Sequence, residues 1–297
     1  MKADSYFEIG STHQVCQDYA LASASDDIAY AIVSDGCTSS KDTDIGSRLL
    51  TIAARDALNY LILRQKSQPG VDKKLFMNNF VITLKELVIK KCIEIRASLN
   101  VNVNAFDATL LIALVYPGYR PLLVGWGDGN FIVKYKNGVV RTMSISYDLN
   151  MPYYLSYRMS YEKDQLYRQV QSGEYHIDDN IQTKGLLRSS YIPWENNFIR
   201  YLDDVGDTVG LSNSIWEVSQ IVVSSDGLQS FQFDPKSDEF MTEDKVFGLA
   251  RVYPDIINYK NPVGEFVVRR MKSLEKENRS KHIIHTDDVS CATLILD

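Results

Sequence analysis

The sequence predicts an α+β domain built on antiparallel strands and helix pairs, not an alternating α/β one. Three observations predict it. Between residues 107 and 144, apolar strands follow one another across tight turns with no helix between them. Two long helical patterns lie together at 42–99. Two more lie together at 238–278, just ahead of one last strand.

The elements follow in order. Tyr6–Gly10 reads as a short strand, Ser11–Gln17 as a polar loop, and Asp18–Ala22 as a second strand, with a turn at Asp26-Asp27. Tyr30–Ser34 is a buried strand that breaks on Asp35-Gly36. Asp42-Thr43-Asp44 supplies capping oxygens. Ile45, Leu49, Ile52, Ala53, Ala57, Tyr60 and Leu61 then recur at helical spacing to about Arg64, and Ser67-Gln68-Pro69-Gly70 ends the run. Lys73–Leu99 is a second helix, its apolar side carrying Phe76, Phe80, Leu84, Leu87, Val88 and Ile95. Strands are expected at Asp107–Val115, Pro121–Trp126, Asn130–Tyr135 and Val139–Ser144. The turns between them are Pro117-Gly118, Gly127-Asp128-Gly129 and the hairpin signal Asn137-Gly138. Residues 145–214 lose periodicity but hold half of the eighteen tyrosines. They read as a flap or insertion with short strands near 198–202, either a surface elaboration or a recognition surface. Ser219–Ser225 is a strand ending on Asp226-Gly227. Helices are expected over Asp238–Tyr253 and Pro262–Asn278, and Val289–Leu296 is the last strand. One domain is expected over 1–297, with 145–214 inside it.

Composition excludes several classes. The net charge is −6 and Lys and Arg form no cluster, which argues against nucleic-acid binding. Cys16, Cys37, Cys92 and Cys291 are scattered, so neither a zinc site nor a disulfide framework is expected. The first residues lack the apolar core of a signal peptide, and no apolar run can span a bilayer. A cytoplasmic protein with reduced thiols is expected, with no membrane partner.

Chemistry is concentrated in the acids. Asp35-Gly36, Asp128-Gly129 and Asp226-Gly227 each close an apolar strand, and Asp287-Asp288 opens the last one. If those strands lie in facing sheets, their ends can meet at one edge. Clustered carboxylates repel, and bound cations compensate them. Oxygen-only ligands suit Mg²⁺ or Mn²⁺, and two such ions can activate a water for attack on phosphorus. Rival phosphate chemistries lack their marks. There is no Gly-x-x-x-x-Gly-Lys loop, no Cys followed six residues on by Arg, and no second Asp two residues after Asp35.

At these motifs the chain resembles protein phosphatase 2C, the metal-dependent Ser/Thr phosphatases, and more narrowly its divergent bacterial branch. Gln17-Asp18 resembles the family's Glu-Asp or Gln-Asp. Ser34-Asp35-Gly36-Cys37-Thr38 stands where many members have Asp-Gly-His-Gly-Gly. Asp107-Ala108-Thr109 resembles the Gly-Ser/Ala-Thr strand, and Gly125-Trp126-Gly127-Asp128-Gly129 the Val-Gly-Asp-Ser hairpin. Ser225-Asp226-Gly227-Leu228 and Asp287-Asp288-Val289-Ser290 resemble Ser-Asp-Gly-Leu and Asp-Asn-Met-Ser. The resemblance implies a four-layer α-β-β-α sandwich, two antiparallel sheets flanked by helix pairs. It implies that Asp35 bridges two metals, that the Gly36 carbonyl joins the second, and that Asp226 and Asp287 hold the first. Asp128 would serve an accessory third ion, Asp18 would support the second through water, and Asp288 would position its loop. His13 stands where the family has its phosphate-binding Arg, and Cys37 where it has the His after Asp-Gly. The implied function is a Mg²⁺/Mn²⁺-dependent protein phosphatase opposing a Ser/Thr kinase, its water attacking phosphoserine or phosphothreonine directly. A catalytically weak metal- or phosphoprotein-binding regulatory module stays open, as does a phosphatase for a small metabolite.

Overall fold

The computed structural model describes residues 1–26, 28–67, 73–116, 119–170, 174–181, 186–193, 198–202, 217–235 and 249–296. Two antiparallel sheets form its centre. The smaller has the order β10-β5-β4-β3-β2, from β2 (Tyr19–Ala24), β3 (Ala29–Ser34), β4 (Leu110–Val115), β5 (Leu122–Trp126) and β10 (Phe198–Tyr201). The larger has the order β1-β14-β11-β6-β7-β8-β9. Its strands are β1 (Lys2–Glu8), β6 (Gly129–Tyr135), β7 (Val140–Tyr147), β8 (Glu174–Ile181), β9 (Leu186–Pro193), β11 (Val218–Ser224) and β14 (Val289–Ile295). A small hairpin pairs β12 (Phe231–Phe233) with β13 (Ile283–His285).

Strand alternation explains why the sheets stack. Every residue of β3 is buried, because its two faces meet different layers. Ala29, Ala31 and Val33 face the other sheet and pack with Phe131, Val133, Ile221, Val223 and Ala292. Tyr30 and Ile32 face the opposite way, into the helices. Those helices are α1 (Thr43–Ser67) and α2 (Lys73–Leu99), which bury Leu50, Leu58, Phe80, Leu84 and Val88. Such side chains each contribute about 1.5–3 kcal/mol when fully buried. On the far side, α4 (Leu249–Ile256) and α5 (Phe266–Arg279) cover Ile132, Val222 and Cys291 with Val252, Ile256, Val267 and Met271. The layers run α-β-β-α, as expected.

Boundaries differ for local reasons. β1 covers Lys2–Glu8 rather than Tyr6–Gly10, because it pairs with β14 from Lys2–Ile295 to Glu8–Val289. Gly10 falls beyond that ladder, in a loop. The last helix begins at Phe266, not Pro262. Gly264 is left-handed (φ 60°), and Asp4 accepts the amide of Val267 at 2.6 Å from outside the helix. α4 runs past Tyr253 through Pro254, burying Ile256 against the sheet. The expected turns at 68–70 and 117–118, the Asp27 half of the Asp26-Asp27 turn, the first part of the Asp238–Tyr253 helix and the end of the 145–214 segment lie outside the described residues.

The segment 145–202 is built into the fold. It holds α3 (Tyr161–Val170) and β8 and β9, which extend the larger sheet, while β10 adds an edge to the smaller. Its periodicity is masked by a charge on the inner face of β8. Tyr175, Ile177 and Ile181 point into the core. Asp179 shares that face and meets Arg141 on the neighbouring strand β7 (Nε–Oδ1 2.7 Å) and, across the gap between the sheets, Arg200 on β10 (2.6 Å).

Candidate metal-dependent active site

The acids stand where strands of both sheets end together. β2 and β3 pair with Tyr19 opposite Ser34, which brings Asp18 and Asp35 side by side just beyond the ladder. β11 and β14 pair with Ser224 opposite Cys291, and Ser225 donates its amide to Ser290 at 3.1 Å. Asp226 and Asp287 therefore emerge at one end of the central strands. Asp128 sits in the turn where the chain leaves β5 in one sheet and enters β6 in the other. The glycines on either side have φ of 91° and 128°, values that side-chain-bearing residues rarely adopt. That is why the turn reads Gly-Asp-Gly.

Asp35, Asp128, Asp226 and Asp287 line one cleft of about 280 Å³, with Gly36, Cys37, Thr38, Ser39, Thr109, Asn150, Pro152 and Tyr154. Its floor is tied down by backbone and hydroxyl bonds. The Asp35 amide donates to Thr109 Oγ1 (3.0 Å), and Thr109 returns its amide to the Asp35 carbonyl (2.8 Å). Gly36 N–H donates to the Gln17 carbonyl, and a Cβ there would lie 2.8 Å from Thr43 Cβ and 2.9 Å from its carbonyl oxygen. Asn130 lies beneath. Its amide holds the Ser225 carbonyl at 3.0 Å and it accepts from Ser144 and Gln229.

The electrostatics are those of crowded carboxylates. Burial, then the charges of Asp18 and Asp226, raises the Asp35 carboxyl well above its ordinary range. Burial, then Asp226, does the same to Asp128 and raises Asp287. Asp18 is wholly buried and is pushed up to about 7 by that burial. Neither of its carboxylate oxygens has a partner in full hydrogen-bond geometry. Orphaned buried oxygens crowded by the carboxylates of Asp35 and Asp288 fit hard divalent cations. As placed, the side chains ring the cleft without closing a cage: among the described residues no three acids, histidines or cysteines form one.

The linkage sign of Asp18 gives a test on the metal-free protein. Its folded pKa of about 7 lies above the unfolded 3.8, so the native state binds the extra proton between those values. This contribution to stability is therefore lost as pH rises from about 4 to 7. Thermal melts in chelator at pH 5 and pH 7.5 are expected to favour Asp18→Asn over the native chain increasingly at the higher pH. A constant difference between the two proteins sinks the assignment.

Asp288 and His13 lie behind this wall. Asp288 accepts the amides of Gly10 (2.7 Å) and Gln17 (2.6 Å), so it shapes the loop 10–17 as the resemblance implied. His13 sits against Asp288 (3.1 Å) and Asp287 (3.6 Å), outside the set of residues lining the cleft. Cys37 lines the cleft, its thiol 3.1 Å from Ser39 Oγ. His285 points Nδ1 at the Asp287 carbonyl (2.9 Å) from β13. Sequence reasoning missed Asn150, Pro152 and Tyr154 as cleft residues. They come from the aperiodic segment, and only its tyrosine content hinted at them. It also missed Asp107 as a node. Asp107 takes Ser40 (2.8 Å), Ser156 and Lys163 on its carboxylate, joining the cleft turn to that segment.

A sequence profile described as protein phosphatase 2C matches residues 10–283. No curated protein matches by sequence. Solved structures with a similar fold include a bacterial serine phosphatase (12% identity, 100% of this chain and 98% of that one, TM-score 0.50). An arginine-to-alanine variant also called a bacterial serine phosphatase is similar too (12%, 100% and 99%, 0.52). The serine/threonine phosphatase Stp1 from Staphylococcus aureus is another (12%, 100% and 96%, 0.49). At such identities the likeness is one of fold.

Proposed function

Because the chain belongs to the protein phosphatase 2C family, we propose that it is a Mg²⁺- or Mn²⁺-dependent phosphatase of phosphoserine and phosphothreonine in proteins, counteracting a Ser/Thr kinase. The observation that supports this is the convergence of Asp35, Asp128, Asp226 and Asp287 on one cleft, with Asp18 buried beside Asp35. In this reading Asp35 would be shared by two ions, the Gly36 carbonyl would join the second, Asp226 and Asp287 would hold the first, Asp18 would back the second, and Asp128 would serve a third. When bound, such ions neutralise the carboxylates and lower the pKa of water.

The residues of the chain do the rest. Thr109 and Gly36 fix the Asp35 turn. Asp288, through the amides of Gly10 and Gln17, holds the loop that backs Asp287. A water oxygen forms the new bond to phosphorus as the bond to the serine or threonine oxygen breaks. The products are inorganic phosphate and a side-chain hydroxyl that has taken a proton. No covalent enzyme intermediate is involved.

The second reading, a regulatory module with little turnover, is favoured by one observation. His13 contacts Asp287 from behind and is not itself a lining residue, and no Lys, Arg or His is among the described lining residues of the cleft. Phosphate release from a phosphothreonine peptide, with Mn²⁺ and with chelator, separates the two. Strictly Mn²⁺-dependent release is expected. Tight Mn²⁺ binding with hydrolysis at background would establish the module instead. No described helix is long and apolar enough to cross a membrane.

A further inference from the structure

A phosphoryl dianion entering this cleft meets an unusual lining. Its described residues are four carboxylates, a thiol, small residues and neutral donors. Bound cations can cancel the acids, but charge cancellation does not orient the phosphoryl oxygens, and directional N–H or O–H donors do. The lining supplies two, Tyr154 and Asn150. Both come from the arm that follows β7.

The path of that arm is strained. Leu149 and Asn150 are consecutive left-handed residues (φ 57° and 52°), and both are exposed. Asparagine tolerates this conformation, whereas leucine seldom adopts it. The double reversal turns the chain back from β7, so that Asn150, Pro152 and Tyr154 line the cleft. Behind the reversal the arm is firmly held. Tyr167 donates to the Met151 carbonyl (2.8 Å), Tyr153 donates to Asp164, and Tyr154 packs on Tyr157 with ring centroids 5.7 Å apart. Ser156 and Lys163 anchor it to Asp107, which also holds Ser40 beside the cleft. Tyr154 is only 7% exposed, and the charges of Asp128 and Asp35 both reach its phenol.

Resting on the phosphatase reading above, we propose that Tyr154 and Asn150 hold the substrate's phosphoryl oxygens by hydrogen bonds, doing with neutral donors what a cationic clamp would do from the loop at His13. A tyrosine hydroxyl on a packed ring is a donor of fixed position. Little side-chain freedom is lost when it binds. The exposed amide of Asn150 completes the pair from the outer lip.

The test is calorimetric titration of inorganic phosphate into the full chain loaded with Mn²⁺. The native protein is compared with Tyr154→Phe, Asn150→Ala and, as a control, Tyr161→Phe, whose ring is exposed on α3. Tyr154→Phe is expected to weaken phosphate about tenfold and Asn150→Ala about threefold, the range of single hydrogen bonds. Mn²⁺ affinity and melting temperature are expected to stay unchanged in both, and the control to match the native protein. Asn150 is exposed, so its variant reports even if the buried tyrosine variant folds poorly. Native phosphate affinity in both variants overturns the proposal, and so does a Mn²⁺-loaded native chain that binds no phosphate. Phosphopeptide turnover is read in parallel. If the native chain does not hydrolyse but binds phosphate through Tyr154, the enzymatic reading falls and the donor role stands. If it hydrolyses and Tyr154→Phe leaves KM and kcat untouched, the donor role falls alone.

Discussion

Asp35→Asn is expected to reduce Mn²⁺-dependent phosphate release more than a hundredfold and, in the same sample without metal, to raise the melting temperature. The two effects have one cause. Asp35 lies between Asp18 and Asp226 and is the residue on which burial and both neighbouring charges act together. Three carboxylates in one buried place oppose folding unless ions compensate them. Removing one charge relieves the metal-free protein and, in the proposed reading, takes away the ligand shared by two ions. The size of the loss follows from comparison. Outer partners of metal ligands cost about 10–100-fold when removed, and a shared ligand has to cost more. The stability gain carries a pH signature. The folded pKa of Asp35 is raised above its unfolded value, so the native chain loses stability relative to the variant as pH rises above the ordinary carboxylate range. Calorimetric Mn²⁺ titration, peptide turnover and melts in chelator measure the three consequences. A variant that is inactive but also less stable without metal would make Asp35 a structural residue.

Much of this site is legible in the sequence because a strand end is a local event. Asp35-Gly36, Gly127-Asp128-Gly129 and Asp226-Gly227 follow apolar runs closely enough that the turns can be read without knowing what they face. The meander from 107 to 144 and the paired helices carry the layer order, since their periods differ and their lengths are ample. What could not be read is non-local. Asp288 reads as the member of the pair Asp287-Asp288 that positions its loop, but only the folded chain brings the amides of Gly10 and Gln17 to it. His13 is spaced like a clamp, but the loop that Asp288 gathers turns it toward Asp287 and Asp288. β8 hides because Asp179 occupies an inward position, an arrangement that makes sense only with Arg141 and Arg200 beside it. Tyr154 reaches the cleft through a left-handed Leu149, which no turn propensity announces.

Gly227→Ala is expected to destabilise the protein by about 3 kcal/mol or more and to weaken Mn²⁺ binding with it. The argument is close approach rather than backbone freedom. A Cβ on residue 227 would stand 1.7 Å from the Asp288 carbonyl oxygen and 2.8 Å from its carbonyl carbon. Both atoms belong to the main chain, so no rotamer change relieves the clash. Overpacking of this kind in a tight core costs about 1–3 kcal/mol even where side chains can move aside. Here the chain at 288 is fastened on both sides. Its carboxylate holds Gly10 and Gln17, and β14 begins at the next residue and is paired with β1 and β11. The alternative is for the turn at 226–229 to shift, which carries Asp226 away from Asp35. Either movement separates the two strand ends that supply acids to the cleft. Denaturant unfolding gives the stability loss, and Mn²⁺ titration under native conditions gives the second effect. Gly138→Ala is the matched comparison. It has nothing within 4 Å of its added Cβ but a φ of 83°, so it is expected to lose stability through backbone strain alone and to keep its metal affinity. Equal loss of Mn²⁺ affinity in both variants would show that general destabilisation, not the contact between residues 227 and 288, governs the site.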